Sequence, residues 1–302
     1  MNSFRIISFD GGGIRGVIAT GILKKLCSKY PELTEKTDMF AGTSTGGLIA
    51  IALACGQNAD YIDNLYSYEN IKNIFRRPHL NLIKPKYNDM ALKKFLKETI
   101  PENLTIEDVE KYLFIPSFNV KGNKHGTWTP VFFNNLSDNL YSSCTLIDSA
   151  LATCAAPTYF PSHKNFIDGG VVANNPSMIS MIYAMKYLKP RPLFKNIKIL
   201  SIGTGSDMNK ISQSTRCWGA LQWAVNPLSS VKMPLVSIML NDGDLSHVYC
   251  SELLKDNYFR VNPSVKTNIA IDDYKIVPDL KNEVKNLDLT RCYKYIEDNF
   301  LK

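Results

Sequence analysis

A chain of 302 residues, 45% hydrophobic and 21% charged, can bury a sizeable core, and its composition excludes a disordered or fibrous chain. The formal net charge of +7 favours anionic partners in general, but its Lys and Arg residues form no basic, aromatic-interleaved tract, so no nucleic acid is expected. Seven cysteines without a C-x-x-C pair read as free thiols of a reducing, cytoplasmic setting, and four histidines without ligand spacing argue against a metal.

Phe4–Phe9 is apolar and β-prone, and 17–26 carries apolar residues three and four apart, so 10–16 is the turn between a strand and a helix. No room precedes this strand for a secretory signal, and the longest apolar runs, such as 48–55, are too short to span a bilayer. Residues 38–42 form a short extended segment, and 46–56 (GGLIAIALACG) a small-residue helix. Residues 67–86 read as irregular and basic, broken by Pro78 and Pro85, with a helix over 88–96 after them. Strands are expected over 109–119 and 129–133, a short helix over 148–155 stopped by Pro157, and an extended pair at 166–167. A helix over 176–188 precedes a strong strand over 197–202, and from 242 onward helices mix with one strand around 258–261. Strands alternating with helices predict an α/β fold whose mostly parallel sheet is covered on both faces. No linker composition divides the chain, so 1–302 is expected to be a single domain. An insertion around 68–90 is a candidate lid or docking segment, and 241–302 is the least defined region.

Gly11, Gly13 and Gly16 satisfy G-x-G-x-x-G, a turn whose backbone N–H groups suit a dinucleotide pyrophosphate or any other negative charge. A dinucleotide site needs an acidic residue at the end of the second strand, where Asp38 instead precedes Met39 and Phe40. A Walker loop needs Gly-Lys-Ser/Thr, which is missing. Gly42-Thr43-Ser44-Thr45-Gly46 is G-x-S-x-G between a strand and a helix, the setting of a strained turn that exposes a nucleophilic serine. The alternative is a helix N-cap at Thr43, Ser44 or Thr45. An activated serine needs a base and donors for the oxyanion. The amides of Gly12 and Gly13 supply the donors if they lie beside Ser44. His79 and His125 sit in irregular polar stretches and His247 in an expected loop, all read as surface residues. His163 lies close to Asp168-Gly169-Gly170. Asp168 can take the serine proton directly if burial raises its pKa; the alternative is an ordinary turn.

Asp10-Gly11-Gly12-Gly13-Ile14-Arg15-Gly16, Gly42-Thr43-Ser44-Thr45-Gly46-Gly47 and Asp168-Gly169-Gly170, in this order, resemble the signature blocks of the patatin-like phospholipases. Ala155-Ala156-Pro157-Thr158-Tyr159-Phe160-Pro161 and the continuation Val171-Val172-Ala173-Asn174-Asn175-Pro176 resemble them too. The resemblance runs from residue 4 to about 205. It implies a three-layer α/β/α sandwich, Ser44 as nucleophile and Asp168 as general base in a dyad without histidine. It also implies Gly12 and Gly13 as oxyanion donors, with Arg15 supporting the loop or the developing charge. The expected activity is lipid acyl hydrolysis of the phospholipase A or lysophospholipase type through an acyl-enzyme, with no calcium and no cofactor. Acyl transfer to another acceptor is the alternative, and a noncatalytic storage or lipid-binding protein the second. The expected partners are a phospholipid or other acyl lipid, a membrane surface met transiently, and an activating protein, a small ligand or a second copy as regulator.

Two segments bear on substrate. Residues 76–86 mix Arg76, Arg77, Lys84 and Lys86 with apolar residues, a pattern suited either to anionic headgroups or to a solvated loop. Residues 217–240 are unusually apolar; Trp218 and Trp223 suit a membrane interface or the frame of an acyl channel, with core packing the expected use.

Overall fold

The computed structural model describes residues 3–79, 83–122, 126–136, 141–206, 211, 213–226, 229, 234–239, 245–265 and 269–302. Its strands are β1 (Phe4–Phe9), β2 (Met39–Gly42), β3 (Tyr112–Asn119), β4 (Thr129–Asn134), β5 (Phe166–Asp168), β6 (Ile197–Ile202) and β7 (Tyr258–Val261). They form one sheet in the order β4-β3-β2-β1-β6-β7, with β5 joined to β3. The four inner pairings are parallel, while β4 and β5 run antiparallel to β3. The first half of the chain contributes helices α1 (Gly16–Lys29), α2 (Thr45–Ala54), α3 (Ala59–Leu65), α4 (Tyr68–Phe75), α5 (Met90–Thr99) and α6 (Leu146–Thr153). The second half adds α7 (Gly170–Ala173), α8 (Ser177–Tyr187), α9 (Ala220–Ala224), α10 (Pro234–Met239), α11 (Leu245–Leu254), α12 (Val277–Lys285) and α13 (Thr290–Tyr295).

Strand periodicity sends successive side chains to opposite faces, and here both faces are apolar. Ile7 and Phe9 of β1, Phe40 of β2, Leu113 and Ile115 of β3, and Leu200 and Ile202 of β6 pack into one core with α1 to α6, α12 and α13. Their neighbours Ile6, Met39, Ala41, Phe114, Ile197 and Ile199 pack on the opposite side against α8 and α11. The result is the expected α/β/α arrangement around a mostly parallel sheet. α1 shows why: Val17, Ile18, Ile22, Leu23 and Leu26 recur at helical spacing and are all buried, each contributing roughly 1.5–3 kcal/mol. On its outer side Lys25 Nζ donates to the carbonyls of Val284, Lys285 and Leu287 and so caps the end of α12.

Three local expectations are corrected. The start of the segment read as irregular is α4: Ser67 caps it, its hydroxyl accepting from the Asn70 N–H, and Ile71 and Phe75 bury one face. The described apolar residues of 217–240 are not core: Leu221 is 73% exposed and Ile238 54%, while Trp218 and Trp223 meet edge to face with ring centres 5.2 Å apart. His247 lies in α11, half-buried, with Nδ1 3.3 Å from the Tyr258 hydroxyl, not in a surface loop. His125, residues 80–82 of the basic segment, and 227, 228, 230–233 and 240 of the apolar stretch lie outside the described residues.

Candidate active site

β3 has two edges, and how they are shared builds the site. β4 occupies one edge over residues 114–119. On the other, β2 pairs with Tyr112, Leu113 and Phe114 and then stops, while β5 pairs antiparallel with Ser117, Phe118 and Asn119. The C-terminal ends of β2 and β5 therefore approach each other along one edge, and each end brings a polar residue to the gap, one just beyond its strand and the other the strand's last residue. From β2 that residue is Ser44; from β5 it is Asp168.

Ser44 holds φ 54° and ψ −123°, a backbone conformation that side-chain-bearing residues rarely adopt and that marks a strained turn. The turn closes because Gly42 and Gly46 have no Cβ: one on Gly42 would lie 2.0 Å from the Gly46 carbonyl oxygen, and one on Gly46 would lie 2.4 Å from that of Phe9. Thr153 Oγ1 accepts from the Ser44 N–H at 2.9 Å and donates to the Pro116 carbonyl at 2.7 Å, and the Thr43 hydroxyl donates to the Ala173 carbonyl at 2.7 Å. Ser44 occupies the N-cap position of α2, yet its side chain caps nothing. Its hydroxyl donates instead to Asp168 Oδ2 at 2.7 Å.

Asp168 is 2% exposed, and its Oδ1 accepts from the Gly170 N–H at 2.7 Å. No ion pair to it occurs among the described residues. Burial pushes its carboxyl up to about 6, against the opposing effect of the Gly170 and Ser44 hydrogen bonds.

The glycine turn lies alongside: a Cβ on Gly11 would stand 3.4 Å from the Ser44 Cβ. Most of its amides are occupied. The N–H groups of Asp10, Gly11 and Ile14 donate to the carbonyls of Ile202, Asn174 and Ile271 at 3.1, 3.1 and 2.9 Å, and that of Arg15 to Gly12 at 3.1 Å. The N–H groups of Gly12 and Gly13 have no acceptor among the described residues. Gly13 holds φ +59°, which turns the chain there, and the Thr204 hydroxyl braces the Gly11 carbonyl at 2.7 Å. Arg15 is half-buried on the short 3-10 turn Gly13–Arg15 that leads into α1.

The strand ends, the serine turn and the glycine turn all fall within residues 7–180, and that span matches the family model of the patatin-like phospholipases. The chain belongs to the patatin-like phospholipase family. Membership brings the family's general activity, lipid acyl hydrolysis or acyl transfer. Among its relatives, a protein named teg from Priestia megaterium is 29% identical over 321 residues, 99% of this chain and 100% of the relative. A cGAMP-activated phospholipase from Escherichia coli is 34% identical over 235 residues, 70% of this chain and 64% of that protein. Patatin-2-Kuras 4 from Solanum tuberosum is 29% identical over 314 residues, 89% of this chain and 81% of the relative.

In this patatin-like site the described histidines stay apart from Ser44. His163 Nε2 meets Asp148 Oδ1 at 2.7 Å, with Lys164 on the other oxygen at 2.7 Å. His79 is tied through its backbone to Lys86. Lys86 itself forms an ion pair with the buried Asp272, which also accepts from the Tyr87 hydroxyl at 2.8 Å. It is therefore structural rather than part of an open cationic surface. Cys154, at the end of α6, is buried, and burial holds its thiol well above the ordinary value, which keeps it from acting as a thiolate nucleophile. Thr153 and Thr204 escaped sequence reasoning because each acts on a residue more than a hundred positions away, Ser44 and Gly11, and no local pattern marks them.

Proposed function

We propose that this patatin-like protein hydrolyses acyl esters of lipids through an acyl-enzyme, with Ser44 as nucleophile and Asp168 as its general base. The supporting observation is the 2.7 Å hydrogen bond from a strained serine to a buried carboxylate that has no cation partner among the described residues. Asp168 takes the Ser44 proton as Oγ bonds to the acyl carbon, and the displaced electron pair moves onto the carbonyl oxygen. The Gly12 and Gly13 amides receive that oxygen, and the start of α2 adds a favourable dipole. Arg15, in the turn that follows, steadies the donors. Collapse expels the lysolipid alkoxide, which takes the proton from Asp168. Water then gives a proton to the same carboxylate, attacks the acyl carbon and releases the fatty acid, and Ser44 recovers its hydrogen.

No helix among the described residues is long and apolar enough to cross a membrane. Access to a bilayer substrate is then transient docking, for which the exposed Leu221, Leu235 and Ile238 of α9 and α10 offer an apolar surface. Phosphatidylcholine vesicles, incubated with and without an alcohol, test the reading. Free fatty acid is the expected product, and Ser44→Ala should abolish its release and the labelling by a fluorophosphonate. Acyl ester formed on the alcohol in place of fatty acid would make the protein a transferase. Wild-type protein inert to both lipid and fluorophosphonate would make it a binding protein.

A further inference from the structure

Asp10 opens the glycine block, and its side chain is 5% exposed. Arg260, 6% exposed on β7, grips it with a fork: Nη1 donates to Oδ1 at 3.1 Å and Nη2 to Oδ2 at 2.6 Å. Nη1 also donates to Ser201 Oγ at 2.9 Å. Ser8, Ser201 and Arg260 stand side by side on β1, β6 and β7. Arg260 thus reaches across β6, about two strand spacings of roughly 4.8 Å, to the point where β1 becomes the glycine turn. A buried carboxylate two residues before Gly12 sets a negative charge close to where a second one would develop on the substrate. Its pairing removes that conflict. A planar guanidinium fixes both carboxylate oxygens, whereas a point charge would fix only one.

We propose that Arg260 is a positioning residue for the glycine turn. Through its two bonds to Asp10 it sets the direction of the Gly12 and Gly13 N–H groups, and it cancels a carboxylate charge that would oppose the oxyanion. The role rests on the hydrolase reading above. The test is steady-state hydrolysis of a short soluble ester by wild type, Arg260→Lys and Arg260→Ala, with thermal melting of each. Arg260→Lys keeps the charge and loses the fork. It should melt cooperatively, hold KM within about twofold and lose about tenfold to a hundredfold in kcat, less than or equal to the loss of an oxyanion donor. Millimolar guanidinium should restore part of the activity of Arg260→Ala; should that variant not fold, Arg260→Lys decides. Wild-type kcat in Arg260→Lys would mean that any cation suffices and the pair is merely structural, which overturns the proposal. Wild-type protein inert to ester and fluorophosphonate would remove the hydrolase reading and this role together. A reactive wild type with an indifferent Arg260→Lys removes only the role.

Discussion

Burial makes the Asp168 carboxyl hard to ionise: it is pushed from 3.8 to about 6, against the hydrogen bonds from Ser44 and Gly170, which favour its ionised form. Between those values the folded state binds the proton that the unfolded chain has lost. The stability this group contributes is complete below pH 3.8 and is lost as pH rises to about 6. Above that, the fold is on the order of 3 kcal/mol less stable than an unshifted group would leave it. Asp168→Asn should therefore lower turnover by about 10²- to 10⁴-fold, yet gain roughly 1–3 kcal/mol in urea unfolding at neutral pH and little at pH 4. Equal destabilisation at both pH values would make Asp168 a structural acceptor. Wild-type kcat/KM should rise with pH through a single acid limb near 6, because only the ionised carboxyl accepts a proton. At this scale the sequence is uneven. Ser44 and Asp168 stand in blocks whose glycines announce a turn, but the choice between nucleophile and helix cap depends on where one hydroxyl points. Thr153, in the run Ala152-Thr153-Cys154, announces nothing, since its partners are Ser44 and Pro116.

Among the elements, α2 follows the serine turn and packs closely on β1. Its Gly46 rests against the Phe9 and Asp10 carbonyls, where a methyl group would arrive at 2.4 and 2.6 Å. Backbone cannot yield as a flexible side chain does, so Gly46→Ala should cost about 1–3 kcal/mol or more by overpacking, read as a lower urea midpoint with an unchanged slope. A neutral outcome would show that α2 can lift off β1 without harm. The inner strands were legible because parallel strands buried on both faces are continuous apolar runs. α4 was obscured: Pro78, Pro85 and the two arginines drew the reading toward a loop, although Ser67, Ile71 and Phe75 give a cap and a buried face at helical spacing. The opposite error befell the described apolar residues of 217–240, because hydrophobicity alone says that a segment is apolar and not that the fold has room for it.

Across the whole molecule, the family match ends at residue 180, but the glycine turn does not hold itself. Its amides and carbonyls are tied to Ile202, Thr204 and Ile271, and β7 completes the far edge of the sheet. These ties join residues about 190 to 260 positions apart, which is why the C-terminal third was the least readable part of the sequence. A chain stopped after residue 206 retains Ser44, Asp168, Gly12 and Gly13. It should nonetheless fail to melt cooperatively and fail to react with a fluorophosphonate; labelling at the full-length rate would show that the turn is self-supporting.

The anchorage of the glycine turn by Ile271 also sets an order of events during synthesis. Protein is made from its N-terminus, so Asp168 leaves the ribosome about a hundred residues, and Ser44 more than two hundred, before the segment that braces the turn beside them. A half-made copy therefore carries Ser44 and Asp168 without the carbonyl that braces the glycine turn, so on the proposed mechanism it stays idle until the segment around Ile271 has been made and has docked.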